Sequence, residues 1–242
     1  MSTHNPDQFP GSNSTARVPS NFQRRKFLRT SASAALAAGS AALLGGASAL
    51  TTPSVAAAAD DPQLSILGPR AGYTPQIGTF VSELTWMRDG NGILAATKGL
   101  TQADLDYLVD PNSNTIGALI LHVAATEVYY GLNTFDGMKW DSWPDSVKKQ
   151  WDPAMNLGKA GRDTIKGHDR DYYVNILADV RAKTLASFKK KDDAWFLGGV
   201  EDWFGPTNTF CKWFHVCEHE AHHSGQVAYL RKRLPGAKPA SE

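Results

Sequence analysis

Four of the chain's seven histidines fall within nine residues, in Trp213-Phe214-His215-Val216-Cys217-Glu218-His219-Glu220-Ala221-His222-His223-Ser224-Gly225-Gln226-Val227. A neutral imidazole offers a lone pair near neutral pH, which makes histidine the commonest metal ligand among side chains. His219 and His223 are four residues apart, so on a helix they leave the same face with Cβ atoms about 5–6 Å apart. Two imidazoles so placed can reach one cation at roughly 2.0–2.1 Å. Catalytic sites commonly use three protein ligands and keep one position open. Outside the cluster the candidates for a third are His122 and His168. His168 stands in Gly167-His168-Asp169, at the start of an expected helix, and reads as solvent-facing. His122 interrupts the apolar run Ala118-Leu119-Ile120-Leu121-His122-Val123-Ala124-Ala125. A histidine in such a stripe is buried, and its ring nitrogens need a hydrogen bond or a metal. The expected ligands are therefore His122, His219 and His223.

Three neighbours complete the expected site. Tyr129 lies seven residues after His122 on the same helix face, and Gln226 lies a turn beyond His223. Both are candidates to line a substrate pocket. Glu220 is a candidate base, against a plain solvated helix charge. His222 is offset by about 100° from His223 and belongs at the rim, and His215 lies one turn before His219. Three other readings compete. A surface histidine strip would bind metal only incidentally. A metal-binding or metal-carrying protein without catalysis would use His215 and His222 as extra ligands. The segment His219-Glu220-Ala221-His222-His223 also matches H-E-x-x-H, the zinc-protease helix in which Glu is the base. The metzincin extension of that motif requires Gly three residues after its second His, where this chain has Gln226.

The elements that must position these residues read as helices. Ile77, Phe80, Val81, Leu84 and Met87 recur at helical steps from Pro75 toward Gly99, with Asp89-Gly90-Asn91-Gly92 as a point where this first helix kinks or breaks. Thr101-Gln-Ala-Asp104 resembles a capping box for a short helix to about Val109. A second long helix is expected from about Thr115 to Asn133, a third from Asp169 to Lys190, and a fourth from near Thr207 to before Pro235-Gly236. Residues 134–168 read as irregular apart from a turn near Asp145–Trp151, and no strand is expected. Four amphipathic helices give an all-α four-helix bundle, whose core is where such folds build metal sites. Cys211 and Cys217, six apart on one helix, are separated by about 9 Å of rise. That exceeds the reach of a disulfide, so two packed, unreactive thiols are expected.

The first 59 residues read differently. The block Gln23-Arg24-Arg25-Lys26-Phe27-Leu28-Arg29, an alanine-rich apolar run, and the small-residue tract Ala56-Ala57-Ala58-Ala59 follow the order of an export signal. The adjacent Arg24 and Arg25 point to twin-arginine machinery as a partner, and hence to a periplasmic or secreted protein. The apolar run falls short of a membrane span. The chain carries 25 Lys and Arg against 24 Asp and Glu. Without the leader's five basic residues and one acidic residue, the domain from 60 to 242 has a net charge of −3. A domain without a basic run is a poor nucleic-acid binder, so a small-molecule substrate is the expected partner.

His122 in an apolar second helix, together with His215-Val-Cys-Glu-His219-Glu-Ala-His-His223-Ser-Gly-Gln226-Val in the last, resembles the DinB-like (DinB/YfiT) superfamily from about Thr74 to Leu234. The resemblance implies a four-helix bundle with a divalent metal on His122, His219 and His223, with open coordination. Zinc or nickel is the leading expectation and iron the next, because three imidazoles alone do not select among these metals. It also implies thiol-dependent chemistry, and an open position on the metal that activates water or a thiol makes a metal-dependent hydrolase or thiol-dependent transferase the expected enzyme. Relatives include transferases using low-molecular-weight thiols and mycothiol-dependent isomerases, and members are often homodimers. The export leader departs from the cytosolic setting usual for the family.

Overall fold

The computed structural model describes residues 65–90 and 92–237. The expected export signal, with Arg24, Arg25 and the expected cleavage tract, lies outside the described residues. Helix α1 spans Pro75–Thr85, with Pro75 at its first position, where a missing N–H costs nothing. Its N-terminus is covered by Asp193, whose carboxylate accepts from the Thr74 hydroxyl and from the Gln76 and Ile77 amides. The expected break arrives as a π-helical turn at Trp86–Gly90, followed by the short α2 at Ile93–Ala96. The capping box holds: Thr101 and Asp104 each bond the other's backbone amide and start α3, Gln102–Asp106.

Helix α4, Ile116–Thr134, starts where the Thr115 hydroxyl accepts from the Ala118 amide. Ile116, Ala118, Leu119, Ile120, Val123, Ala124 and Ala125 are each at most 2 % exposed. A helix apolar on nearly every side belongs in the middle of a fold, and α4 packs against α7 (Arg170–Phe188), α9 (Thr209–Arg231) and α5 (Asp145–Asn156). One core cluster joins α4 to Tyr173, Leu177, Val180 and Val227. A second joins α1 to Phe188, Trp213 and Val216, and takes in Phe196 of α8 (Asp193–Leu197). Helices α1, α4, α7 and α9 form the expected all-α bundle. No described helix is long and apolar enough to cross a membrane.

Two parts of the sequence reading are corrected. Residues 134–168 contain α5 and a further helix, α6, Gly158–Thr164. Pro144, Pro153 and Gly158 suggested irregular chain, but Pro144 precedes α5 and Pro153 lies in its last turn. Leu157 and Gly158, both at positive φ, make the break between the two helices. A two-stranded antiparallel hairpin, β1 Gly199–Asp202 and β2 Gly205–Asn208, replaces the expected loop before α9. Its strand residues are half exposed and half partly buried, and they carry no period-two apolar pattern, the signal on which a strand assignment depends. Both cysteines are free, as expected, although Cys211 is exposed and only Cys217 is packed.

Candidate metal centre

Helices α4 and α9 bring His122, His219 and His223 together. Their ring centroids lie 4.4–4.8 Å apart, and one ligand atom from each falls within 4.8 Å of the others. The Nε2 atoms converge: His122 to His219 is 3.2 Å and His223 to His219 is 3.1 Å. Nitrogens about 2.0–2.1 Å from a shared tetrahedral cation would stand roughly 3.3 Å apart. The match is close.

The other ring nitrogens fix which atoms carry lone pairs. His122 Nδ1–H donates to the Ala154 carbonyl at 3.0 Å, because a carbonyl only accepts. His223 Nδ1–H donates to Gln226 Oε1 at 2.9 Å. Both rings therefore present bare Nε2 lone pairs to the same point. A proton on His219 Nε2 could satisfy one of them and never both. Nδ1 of His219 is buried without a hydrogen-bond partner. This donor set is unsatisfied by protein atoms and suits a cation.

Burial, reinforced by the neighbouring rings, pushes His122 down to about 4 and His219 down to about 3, and burial lowers His223 as well. All three are neutral at pH 7, the form that ligates a metal.

The remaining candidates take other places. Gln226 is exposed at the surface of α9 and orients His223. Replacing Gln226 with alanine is expected to weaken metal affinity about 10–100-fold, as measured by competition with a chelating dye. Gln226→Glu, which keeps an acceptor for Nδ1–H, should retain most of it. Tyr129 is buried, at 2 % exposed: its hydroxyl donates to Asp152 and its ring stacks on Trp143 at 5.2 Å. Burial and the Asp152 carboxylate push its ionisation well above the usual phenol range.

Glu220 is neither a solvated charge nor a base beside the metal. Fully buried, it is held by Arg88 and Arg181, which share Glu127 as a second carboxylate. That also removes the H-E-x-x-H reading, since the Glu of that motif must reach a bound water. His215 and His222 are exposed and share Glu218, and neither joins the triad. His168 is half-buried and stacks on Tyr172 at 3.7 Å.

Sequence reasoning missed two residues of α5: Ala154, whose carbonyl orients His122, and Asp152, which accepts from the Tyr129 hydroxyl. Val147, Trp151 and Ala154 recur at steps of four and three, a weak helical signal that the prolines masked.

A search of curated proteins finds no match. The family model for mycothiol-S-transferase matches residues 82–236, which spans the π-helical turn, all three converging histidines and every helix from α2 to α9. The chain belongs to this mycothiol-S-transferase family, a DinB-like family.

Proposed function

We propose that this protein is a metal-dependent thiol transferase acting with mycothiol or a thiol of the same low-molecular-weight class. The observation that carries the reading is the convergence of three neutral Nε2 atoms on one point. DinB-like proteins bind a divalent metal, and zinc or nickel is the proposed ion here. A cation so held supplies positive charge that favours thiolate over thiol, and the thiolate is the reactive nucleophile.

The chain's own residues do the rest. The Ala154 carbonyl and Gln226 fix the ring orientations of His122 and His223, so the imidazoles need no rearrangement when a ligand arrives. The triad would supply three protein ligands to the ion, the number that catalytic sites commonly use while keeping a position open. In the transfer, a bond forms between the thiol sulfur and an electrophilic carbon while that carbon's bond to its leaving group breaks. The thiol proton leaves with the departing group or passes to solvent. The leader and Arg24-Arg25 support a second part of the proposal, export through the twin-arginine route.

The test is consumption of mycothiol against an activated alkyl halide, with metal content measured on the same sample. Chelation is expected to lower the enzymatic rate at least about 100-fold, and one equivalent of ion should restore it. Metal-dependent turnover of an ester without any need for thiol would replace transfer with hydrolysis.

A further inference from the structure

Helix α5 ends by exchanging one of its own hydrogen bonds. In a continuing α-helix the Gly158 amide would donate to the Ala154 carbonyl, four residues back. Here the two are parted. Gly158 N–H donates to Asn114 Oδ1 at 3.0 Å, and the Ala154 carbonyl accepts from His122 Nδ1–H, also at 3.0 Å. Both are helix-end groups that need a partner, the carbonyl in the last turn of α5 and the amide at the first position of α6. One residue earlier the ladder is intact, with Leu157 N–H donating to the Pro153 carbonyl at 3.2 Å. The break itself is strained: Leu157 holds a φ of 53°, which favours glycine. Such a conformation persists where its surroundings fix it, and both flanks of this break are tied to α4 or to the turn before it. Asn114 sits in that turn, where Asn112 N–H donates to Asp110 Oδ1 and Ser113 N–H to the Asp110 carbonyl. Arg162 of α6 donates to the Ser113 carbonyl at 3.0 Å, and on the other flank Tyr129 of α4 donates to Asp152 of α5. Asn114 directly precedes Thr115, the cap of α4. The stretch that carries the His122 ring thus also carries the group that frees the ring's acceptor.

We propose that Asn114 is a positioning residue of the metal centre: by taking the Gly158 amide it holds the end of α5 open and leaves the Ala154 carbonyl to His122. What this fixes is a tautomer. A proton held on Nδ1 of His122 leaves its Nε2 as a bare lone pair beside His219. Without Asn114, the acceptor left to the Gly158 amide in helical register is the Ala154 carbonyl, and a carbonyl drawn toward that amide turns from the ring. The His122 proton is then no longer held on Nδ1 and spends part of its time on Nε2, the atom that must be bare to bind a cation. The tautomer half of the proposal stands on the hydrogen bonds alone. Its consequence for an ion rests on the reading of the triad as a metal centre.

The experiment uses metal-free protein carrying ¹⁵N-labelled histidine, whose ring nitrogens report the tautomer, with His122 identified by the signals lost in His122→Ala. Wild type is expected to show a protonated Nδ1 and a bare Nε2 at His122. Asn114→Ala should move His122 to a mixture of tautomers and weaken zinc binding, measured against a chelating dye, about tenfold, the low end for loss of an outer partner. Asn114→Asp, which keeps an acceptor for the Gly158 amide, should retain both. His223, oriented by Gln226, should be unchanged throughout. Arg162→Met is the control: it cuts a neighbouring tie between α6 and the same turn and spares the Gly158 amide, so tautomer and affinity should stay at their wild-type values. An Asn114→Ala protein with the wild-type tautomer would overturn the proposal, as would a changed tautomer with unchanged zinc affinity. An Arg162→Met protein that matches Asn114→Ala would also overturn it, by making the docking of α6 as a whole responsible. Wild-type protein that binds no zinc would overturn the metal reading, and the tautomer would still decide the role of Asn114.

Discussion

Replacing His122 with alanine is expected to abolish stoichiometric binding of divalent metal while leaving the bundle folded. The imidazole supplies one of three converging Nε2 atoms, and no other described group stands ready to substitute. Its loss should therefore cost more than the 10–100-fold that follows removal of an outer partner. Stability gives an independent readout. An ion at about 1,000 times its Kd stabilises a fold by roughly 4 kcal/mol. Wild-type protein should lose thermal stability on chelation and regain it with added zinc, whereas His122→Ala should be indifferent to both. His215→Ala and His222→Ala, which lie outside the triad and share Glu218, are expected to keep one ion per chain. Several exchangeable ions, lost mainly with His215 and His222, would identify a metal carrier and remove the enzyme reading.

The three histidines that could hold an ion were legible in the sequence because two physical signals coincide at them. An i, i+4 pair puts His219 and His223 on one face without reference to the rest of the fold, and His122 declares itself by interrupting an apolar stripe. Caps were equally legible, since Thr101, Thr115 and Asp169 each act within three residues of themselves. What stayed hidden is what depends on distant chain. Glu220 reads as a solvated charge on its own helix; only the fold brings it Arg88 from 132 residues away and Arg181 from 39. Tyr129 shares a helix with His122, as expected, but Asp152 and Trp143 come from chain that looked irregular, and they enclose it. Helix periodicity fixes which residues share a face, and it says nothing of which face meets which neighbour.

That hidden ion-pair group is the second place where a large effect is expected. Arg88, Glu127, Arg181 and Glu220 are at most 7 % exposed and balance two positive charges against two negative. Arg88 reaches them from the π-helical turn, donating to Glu220 at 2.9 and 3.0 Å, to Glu127 at 2.9 Å and to the Leu177 carbonyl at 3.1 Å. Removing one member leaves an uncompensated buried charge, which typically costs about 3–5 kcal/mol. Glu220→Ala and Arg88→Met are each expected to fall in that range by chemical denaturation. The double variant should cost less than the sum of the two, because the groups act on one another. The pH dependence has a definite sign. Burial opposes ionisation of Glu127, but Arg181 and Arg88 outweigh it and hold the carboxyl at about 2, below its unfolded value. Its contribution to stability is thus complete above about pH 4.5 and is lost as pH falls toward 2. Arg88→Met should flatten that acid limb. The same group separates two roles for Glu220, which lies between His219 and His223 on α9. A base beside the metal would lower kcat on substitution and leave unfolding unchanged. A structural anchor of α9 should lower stability first, with metal affinity following as the imidazoles lose their fixed approach to His122. A Glu220→Ala variant with wild-type stability and no turnover would overturn the structural assignment.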